Sequence, residues 1–278
     1  MSGLRIGLAL GGGSARGLAH IPLLEVFDEL GIKPALIAGC SIGALVGAGY
    51  ASGLSAKDIG EHTKSVLGNR LAAAKYVFGA KRARITDLLS LKNIASLQID
   101  GERLVDLAFP DGVAKRVEET VIPFKVITTD YVSLEEHVIE AGPMAEAVAA
   151  SLAIPGIISA PVLNGRVHVD GGVTNPVPFD HVRAGMDIVV AIDVTGKPVS
   201  SGRAHPGNLE LAIGSMQIMF RQIASLRRAL NPPDIYIEPP IDEIAARDFF
   251  RAEEIMAQGA KAKDQLKRAL ELRLNGQG

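Results

Sequence analysis

Apolar positions along the chain follow two rhythms. Short, mainly apolar runs recur at Leu4 to Leu10, Ala35 to Gly39, Phe124 to Thr129 and Ile188 to Val194. Each is too short for a stable helix and suits a strand buried on both faces. Between them lie stretches of helical period. Ser14 to Leu30 carries apolar residues at Leu18, Ile21, Leu24, Val26 and Phe27 before Gly31 stops it. The chain from Ser41 onward reads as a second helix and Met144 to Leu152 as a third. Pro161 to Leu163 and Arg166 to Val169 flank Asn164-Gly165 and predict a short hairpin that closes on Asp170-Gly171-Gly172.

Strands alternating with helices predict an α/β fold, a three-layer α/β/α sandwich around a largely parallel central sheet. Val199 to Gly207, rich in Ser, Gly and Pro, is the linker candidate. After it, Leu209 to Leu230 and Phe249 to Leu274 read as amphipathic helices. In the latter, Ile255, Gly259, Ala262, Leu266 and Leu270 line one face and charges fill the other. The expected organisation is a single domain over residues 1–278, with its core at 3–200 and a C-terminal helical layer at 205–278.

Composition narrows the function classes. The 278 residues are 47% hydrophobic and 22% charged, with a net charge of −2, a globular balance with no broad attraction for phosphate backbones. Four Tyr, eight Phe and no Trp leave little for base stacking, so no nucleic-acid partner is expected. The single cysteine, Cys40, excludes an internal disulfide framework, and no CxxC or HxxxH spacing offers a zinc site. Neither metal nor cofactor is expected. The N-terminus lacks the apolar run and cleavage site of a signal peptide, which predicts a cytoplasmic chain. Pro34 to Ala56 is uncharged, long enough to cross a bilayer, and carries the dimer spacings Gly43-xxx-Gly47 and Gly49-xxx-Gly53. Pro34, Ser41, Ser52, Ser55 and the glycines argue instead for a buried strand followed by a small-faced helix.

Gly39-Cys-Ser-Ile-Gly43 fits GxSxG, a strand-to-helix turn so tight that small residues must flank the hydroxyl. It would lift Ser41 to the C-terminal sheet edge at the positive end of a helix, where a nucleophile is favoured. Gly11-Gly-Gly-Ser-Ala-Arg-Gly17 follows the first strand, and backbone N–H groups at such a corner can converge on an anion. Leu18 stands where a P-loop needs Lys, and Arg16 where a dinucleotide loop needs Gly. An oxyanion hole for Ser41 needs only the N–H donors, while Arg16 reads as a brace for the loop. The proton acceptor stays open on this evidence of spacing. Six histidines, at 20, 62, 137, 168, 181 and 205, stand in no distinctive context, and Asp170-Gly171-Gly172 offers a carboxylate at a strand end. Asp130, also at a strand end, is read as structural.

Four blocks in order carry a resemblance: Gly11 to Gly17; Gly39-Cys-Ser-Ile-Gly-Ala44; Ala150-Ser-Leu-Ala-Ile-Pro-Gly-Ile-Ile-Ser-Ala-Pro161; and Asp170-Gly-Gly-Val-Thr-Asn-Pro-Val-Pro178. With them the chain resembles the patatin-like phospholipase family in its bacterial form. The resemblance implies a serine acyl hydrolase of lipase, phospholipase or lysophospholipase type that cleaves lipid carboxylic esters through an acyl-enzyme. It implies Ser41 as nucleophile, Asp170 as its sole partner in a dyad, and Gly11, Gly12 and Gly13 as oxyanion hole. Arg16, Gly39, Gly43, Gly171 and Gly172 would support them. Leu10 and Cys40 depart from residues commoner in the family, and neither touches the dyad. Other readings are a non-catalytic regulatory protein on the same fold, a Ser-His-Asp esterase, or a nucleotide-binding protein using the first glycine loop. Lys75-Tyr-Val-Phe-Gly-Ala-Lys-Arg-Ala-Arg84 sets four cations around three bulky apolar residues, a candidate peripheral contact with the inner membrane surface.

Overall fold

The computed structural model describes residues 3–68, 99–199 and 207–276. The Lys75 to Arg84 segment and residues 200–206 of the linker candidate lie outside them. Among the described residues the strands are β1 (Ile6–Leu10), β2 (Leu36–Cys40), β3 (Phe124–Asp130), β4 (Glu136–Ile139), β5 (Val162–Leu163), β6 (Arg166–Asp170), β7 (Ile188–Ile192) and β8 (Ile235–Ile237). They form one sheet in the order β5-β6-β3-β2-β1-β7-β8, with β4 also on β3. From β3 to β8 the neighbours run parallel, and β4, β5 and β6 add antiparallel pairings.

The two sheet faces differ in residue size. Ile6, Leu8 and Leu10 of β1 and Ile188, Val190 and Ile192 of β7 join the larger apolar cluster. Against it pack α1 (His20–Leu30), α2 (Ile42–Ala51), α3 (Ala56–Gly68), α4 (Gly101–Ala108) and α5 (Met144–Ser151). The opposite positions are small: Ala9, Ala38 and Ala191 meet Val177, Phe179, Val182 and Ala224 in a second cluster. Period-2 alternation sorts the side chains onto the two faces, and the small ones let the Phe179–Val182 turn lie close on the sheet. α6 (Asn208–Leu230) covers this second side and contributes Ala224. The expected α/β layering is therefore present.

Local outcomes differ from the sequence reading in three places. Ser14–Ala19 winds as a tight 3₁₀ turn before α1, because Pro22 lacks an N–H and is tolerated only in a first helical turn. The stretch from Phe249 to Leu274 is not one helix but a 3₁₀ turn followed by α7 (Ala252–Ala260) and α8 (Lys263–Leu274). The expected stripe is nonetheless buried: Ile255, Ala262, Leu266 and Leu270 all lie in the core. Gly259 lets α7 approach so closely that a Cβ there would sit 2.8 Å from Ala19 Cα. Lys263 ties α8 to α1 through Glu25 at 2.9 Å and Glu29 at 2.7 Å. Finally, β4 and β8 are strands that no uninterrupted apolar run announces. Among the described residues no helix is long and apolar enough to cross a membrane.

Candidate functional site

Sheet register brings the expected site residues together. Val126 and Ile127 of β3 pair with both β2 and β4, and Thr128 and Thr129 pair with both β4 and β6. A strand has two edges, so β2 and β6 share one and β4 holds the other. Along the shared edge Cys40 ends β2 opposite Ile127, and Asp170 ends β6 opposite Thr128. The two strands thus meet head to head on adjacent residues of β3. Ser41, the next residue after Cys40, faces a carboxylate that lies 129 positions away in the chain.

The geometry at that junction is closely determined. Ser41 Oγ donates to Asp170 Oδ2 at 2.7 Å, and Gly172 N donates to Asp170 Oδ1 at 2.8 Å. Ser41 has φ 53° and ψ −124°, a strained conformation for a residue with a side chain. The strain follows from the turn. A Cβ on Gly39 would stand 2.6 Å from Ala44 Cα, and one on Gly43 2.1 Å from Leu10 O, so α2 starts hard against β1 and β2. Both side chains are almost wholly sequestered, Ser41 at 4% and Asp170 at 1% exposure. Burial pushes the Asp170 carboxyl up to about 6, against the bonds from Ser41 and Gly172 that favour its charge. Cys40 is fully buried, and burial followed by the nearby Asp170 charge pushes its thiol well above the usual value. The ring of Phe220 on α6 closes over Gly172.

The first glycine loop stands over the same point. A Cβ on Gly12 would meet Ser41 Cβ at 3.2 Å. Its amides are not equivalent, however. Gly11 N donates to Ile192 O at 2.9 Å and Gly12 N to Pro176 O at 2.8 Å, which spends both on holding the loop. Of the three, only Gly13 N has no hydrogen-bond partner among the described residues. Gly11 O accepts from His20 Nε2 at 2.8 Å, and desolvation lowers the pKa of this buried ring to about 4 against that bond, which favours its charge.

Arg16 holds the glycine loop from inside the fold. Wholly buried, its guanidinium donates to Ile244 O at 2.7 Å, Thr195 O at 3.0 Å and Lys197 O at 2.5 Å. It thereby staples the glycine loop to the segments after β7 and β8. Arg16→Met leaves these carbonyls unpaired in the interior. It is expected to cost roughly 3 to 5 kcal/mol in a denaturant titration, with Arg16→Lys giving little relief because an ammonium cannot fork to three acceptors.

The remaining candidates fall elsewhere. His168 bonds Thr128 Oγ1 at 3.0 Å inside the sheet, and among the described residues no histidine bonds Ser41 or Asp170. Asp130 is structural: it accepts from Val132 and Ser133 N and pairs with Arg166 at 2.9 Å. Sequence reading missed a surface cluster of Glu136, Asp180 and His181. Arg227 neutralises it, 3.0 Å from Asp180 and 3.6 Å from Glu136, and so ties α6 to β4. It also missed Ser151, whose hydroxyl accepts from Ser41 N at 2.7 Å. The signal was its place in the third block, Ala150 to Pro161, which had been given no role.

A family profile described as Patatin-like phospholipase matches residues 8–183, which include Gly11 to Gly13, Arg16, Ser41, Ser151 and Asp170. The chain belongs to the patatin-like phospholipase family. An uncharacterized NTE family protein of Mycobacterium tuberculosis is 31% identical over 207 residues, covering 74% of this chain and 53% of that protein. Lysophospholipase NTE1 of Saccharomyces cerevisiae is 28% identical over 284 residues, covering 93% of this chain and 16% of that protein. The chain thus spans about half the length of its mycobacterial relatives and a small part of the yeast one. VipD from Legionella pneumophila superposes with a TM-score of 0.52 at 14% identity, over 96% of this chain and 67% of that one, a likeness of fold.

Proposed function

We propose that this patatin-like protein is a serine acyl hydrolase that cleaves the carboxylic esters of lipids, phospholipids and lysophospholipids being the substrate class. The observation that carries the reading is the 2.7 Å bond from Ser41 Oγ to Asp170 Oδ2 on a strained turn at a helix N-terminus. The lysophospholipase name of the yeast relative supports the choice of lipid ester.

An ordinary aspartate is a poor base for a hydroxyl. Burial makes Asp170 about two units more basic, from 3.8 to about 6, while neutral pH still keeps it ionised. Asp170 takes the Ser41 proton as Oγ attacks the ester carbonyl. The charge that develops on the carbonyl oxygen is met by Gly13 N–H and by the α2 N-terminus. A single well-aimed donor is worth roughly 3 to 4 kcal/mol at this step. Collapse of the tetrahedral species leaves the acyl group on Ser41, and the Asp170 proton passes to the departing alcohol oxygen. Water then gives a proton to Asp170, attacks the acyl-enzyme and releases the fatty acid, returning the proton to Ser41.

The test is fatty-acid release from a panel of phospholipids, lysophospholipids and short p-nitrophenyl esters, beside labelling by a fluorophosphonate. The expected result is turnover of lipid esters and a single labelled serine at position 41. A protein that hydrolyses none of the panel and takes no label is not this enzyme.

A further inference from the structure

We propose that Ser151 is the positioning residue of this active centre, clamping the strained Ser41 turn to β3 at the point where β2 and β6 meet. The proposal rests on the reading of Ser41 and Asp170 as nucleophile and base. Ser151 ends α5 and is fully buried. Its hydroxyl makes two short bonds, accepting from Ser41 N at 2.7 Å and donating to Ile127 O at 2.6 Å. Ile127 is the β3 residue opposite Cys40, next to Thr128, which lies opposite Asp170. Two residues further along, Ala153 O accepts from Asp170 N at 3.1 Å. One short segment after α5 therefore grips the backbone of both Ser41 and Asp170.

A hydroxyl suits this place because it is donor and acceptor at once. Ser41 N lies just beyond the β2 ladder and ahead of the α2 helix, so neither regular element supplies it with a partner. Ile127 O is likewise buried and needs a donor. Alanine would leave both unpaired. The φ and ψ of Ser41 would then relax toward an ordinary conformation, carrying Oγ away from Asp170 Oδ2. A misplacement of about 1 Å at a reacting atom costs about 100-fold in rate, so the clamp acts through Ser41 without touching substrate.

The experiment compares wild type, Ser151→Ala, Ser151→Thr and Ser41→Ala as full chains, measuring kcat, KM, the pH profile and Tm with one hydrolysed ester. Ser151→Ala is expected to lose about 10- to 100-fold in kcat with KM within about 2-fold, and Ser151→Thr, which keeps the hydroxyl, to recover most of it. The acid limb of Ser151→Ala is expected to move upward, since the bond from Ser41 lowers the Asp170 carboxyl and would be loosened. Among the described residues the groups facing that carboxyl are the Ser41 hydroxyl, the Gly172 amide, the neutral Cys40 thiol and, across Gly172, the Phe220 ring, and none of them brings a second charge to the limb. Wild-type kcat in Ser151→Ala overturns the clamp, as does a loss that tracks a falling folded fraction at an unmoved acid limb. If Ser151→Ala does not fold, Ser151→Cys carries the test: reduced kcat in a folded protein supports the clamp and wild-type kcat overturns it. A wild type no more active than Ser41→Ala overturns the hydrolase reading and the clamp with it, whereas an active wild type matched by Ser151→Ala overturns the clamp alone.

Discussion

Asp170→Asn is expected to lower kcat by about 1,000- to 10,000-fold, as loss of a general base or its orienter does in serine hydrolases, and at the same time to raise stability at neutral pH. Both effects have one cause. Asp170 is 1% exposed and among the described residues no cation bonds to it, so its negative charge is held against desolvation by the Ser41 hydroxyl and the Gly172 amide. Its carboxyl is raised from 3.8 to about 6. Because the folded protein holds this proton more tightly than the unfolded chain does, the contribution to stability is greatest below pH 4. It is lost as pH rises toward 6 and stays lost above. Two units correspond to about 3 kcal/mol. Asparagine carries no charge to desolvate and escapes that penalty. Its Tm should therefore exceed that of wild type at pH 8, with the difference vanishing near pH 4. The same proton governs wild-type turnover, which should fall below about pH 6 as the base is neutralised. Paired melting curves and pH–rate profiles check all three. Full activity in Asp170→Asn, with loss on replacing a histidine, would assign the base elsewhere.

Gly43→Ala should be the most damaging of the small substitutions. The new methyl would stand 2.1 Å from Leu10 O and 2.7 Å from Gly11 O. Both are backbone atoms at the end of β1, a strand paired on both edges and unable to retreat. Either α2 lifts off, carrying the Ser41 turn with it, or the sheet distorts. The expected loss is about 3 kcal/mol or more in stability, with at least about 100-fold in kcat for whatever folds. Gly214→Ala is the matched control. It sits inside α6, where among the described residues a Cβ meets only Pro198, at an ordinary 3.6 Å, so the better helix former should add about 0.5 to 1 kcal/mol. Chemical denaturation of the two variants beside wild type makes the comparison.

The central elements were legible in the sequence because each is announced by its own residues. The runs at Leu4, Ala35, Phe124 and Ile188 become β1, β2, β3 and β7, buried along almost their whole length. Elements without that local mark were not legible. β4, Glu136-His-Val-Ile139, is an edge strand, half-buried and polar at its start, and β8 has three residues. The break between α7 and α8 falls just after Gly259, whose place in the buried stripe masked it as a stop signal.

For the candidate site the division is the same. Glycine spacing around Ser41 and the Asp170-Gly171-Gly172 turn are local matters, since steric limits on a tight turn act within a few residues. What a chain alone could determine was therefore which residues offer a nucleophile, a carboxylate and a loop of amides. Tertiary structure decided the rest: that β2 and β6 meet end to end on β3, that Ile192 and Pro176 claim the amides of Gly11 and Gly12, and that Ser151 holds the Ser41 amide. Each of those is a choice of hydrogen-bond partner between segments far apart in the chain, set by sheet register and burial, and no pattern within one segment encodes it.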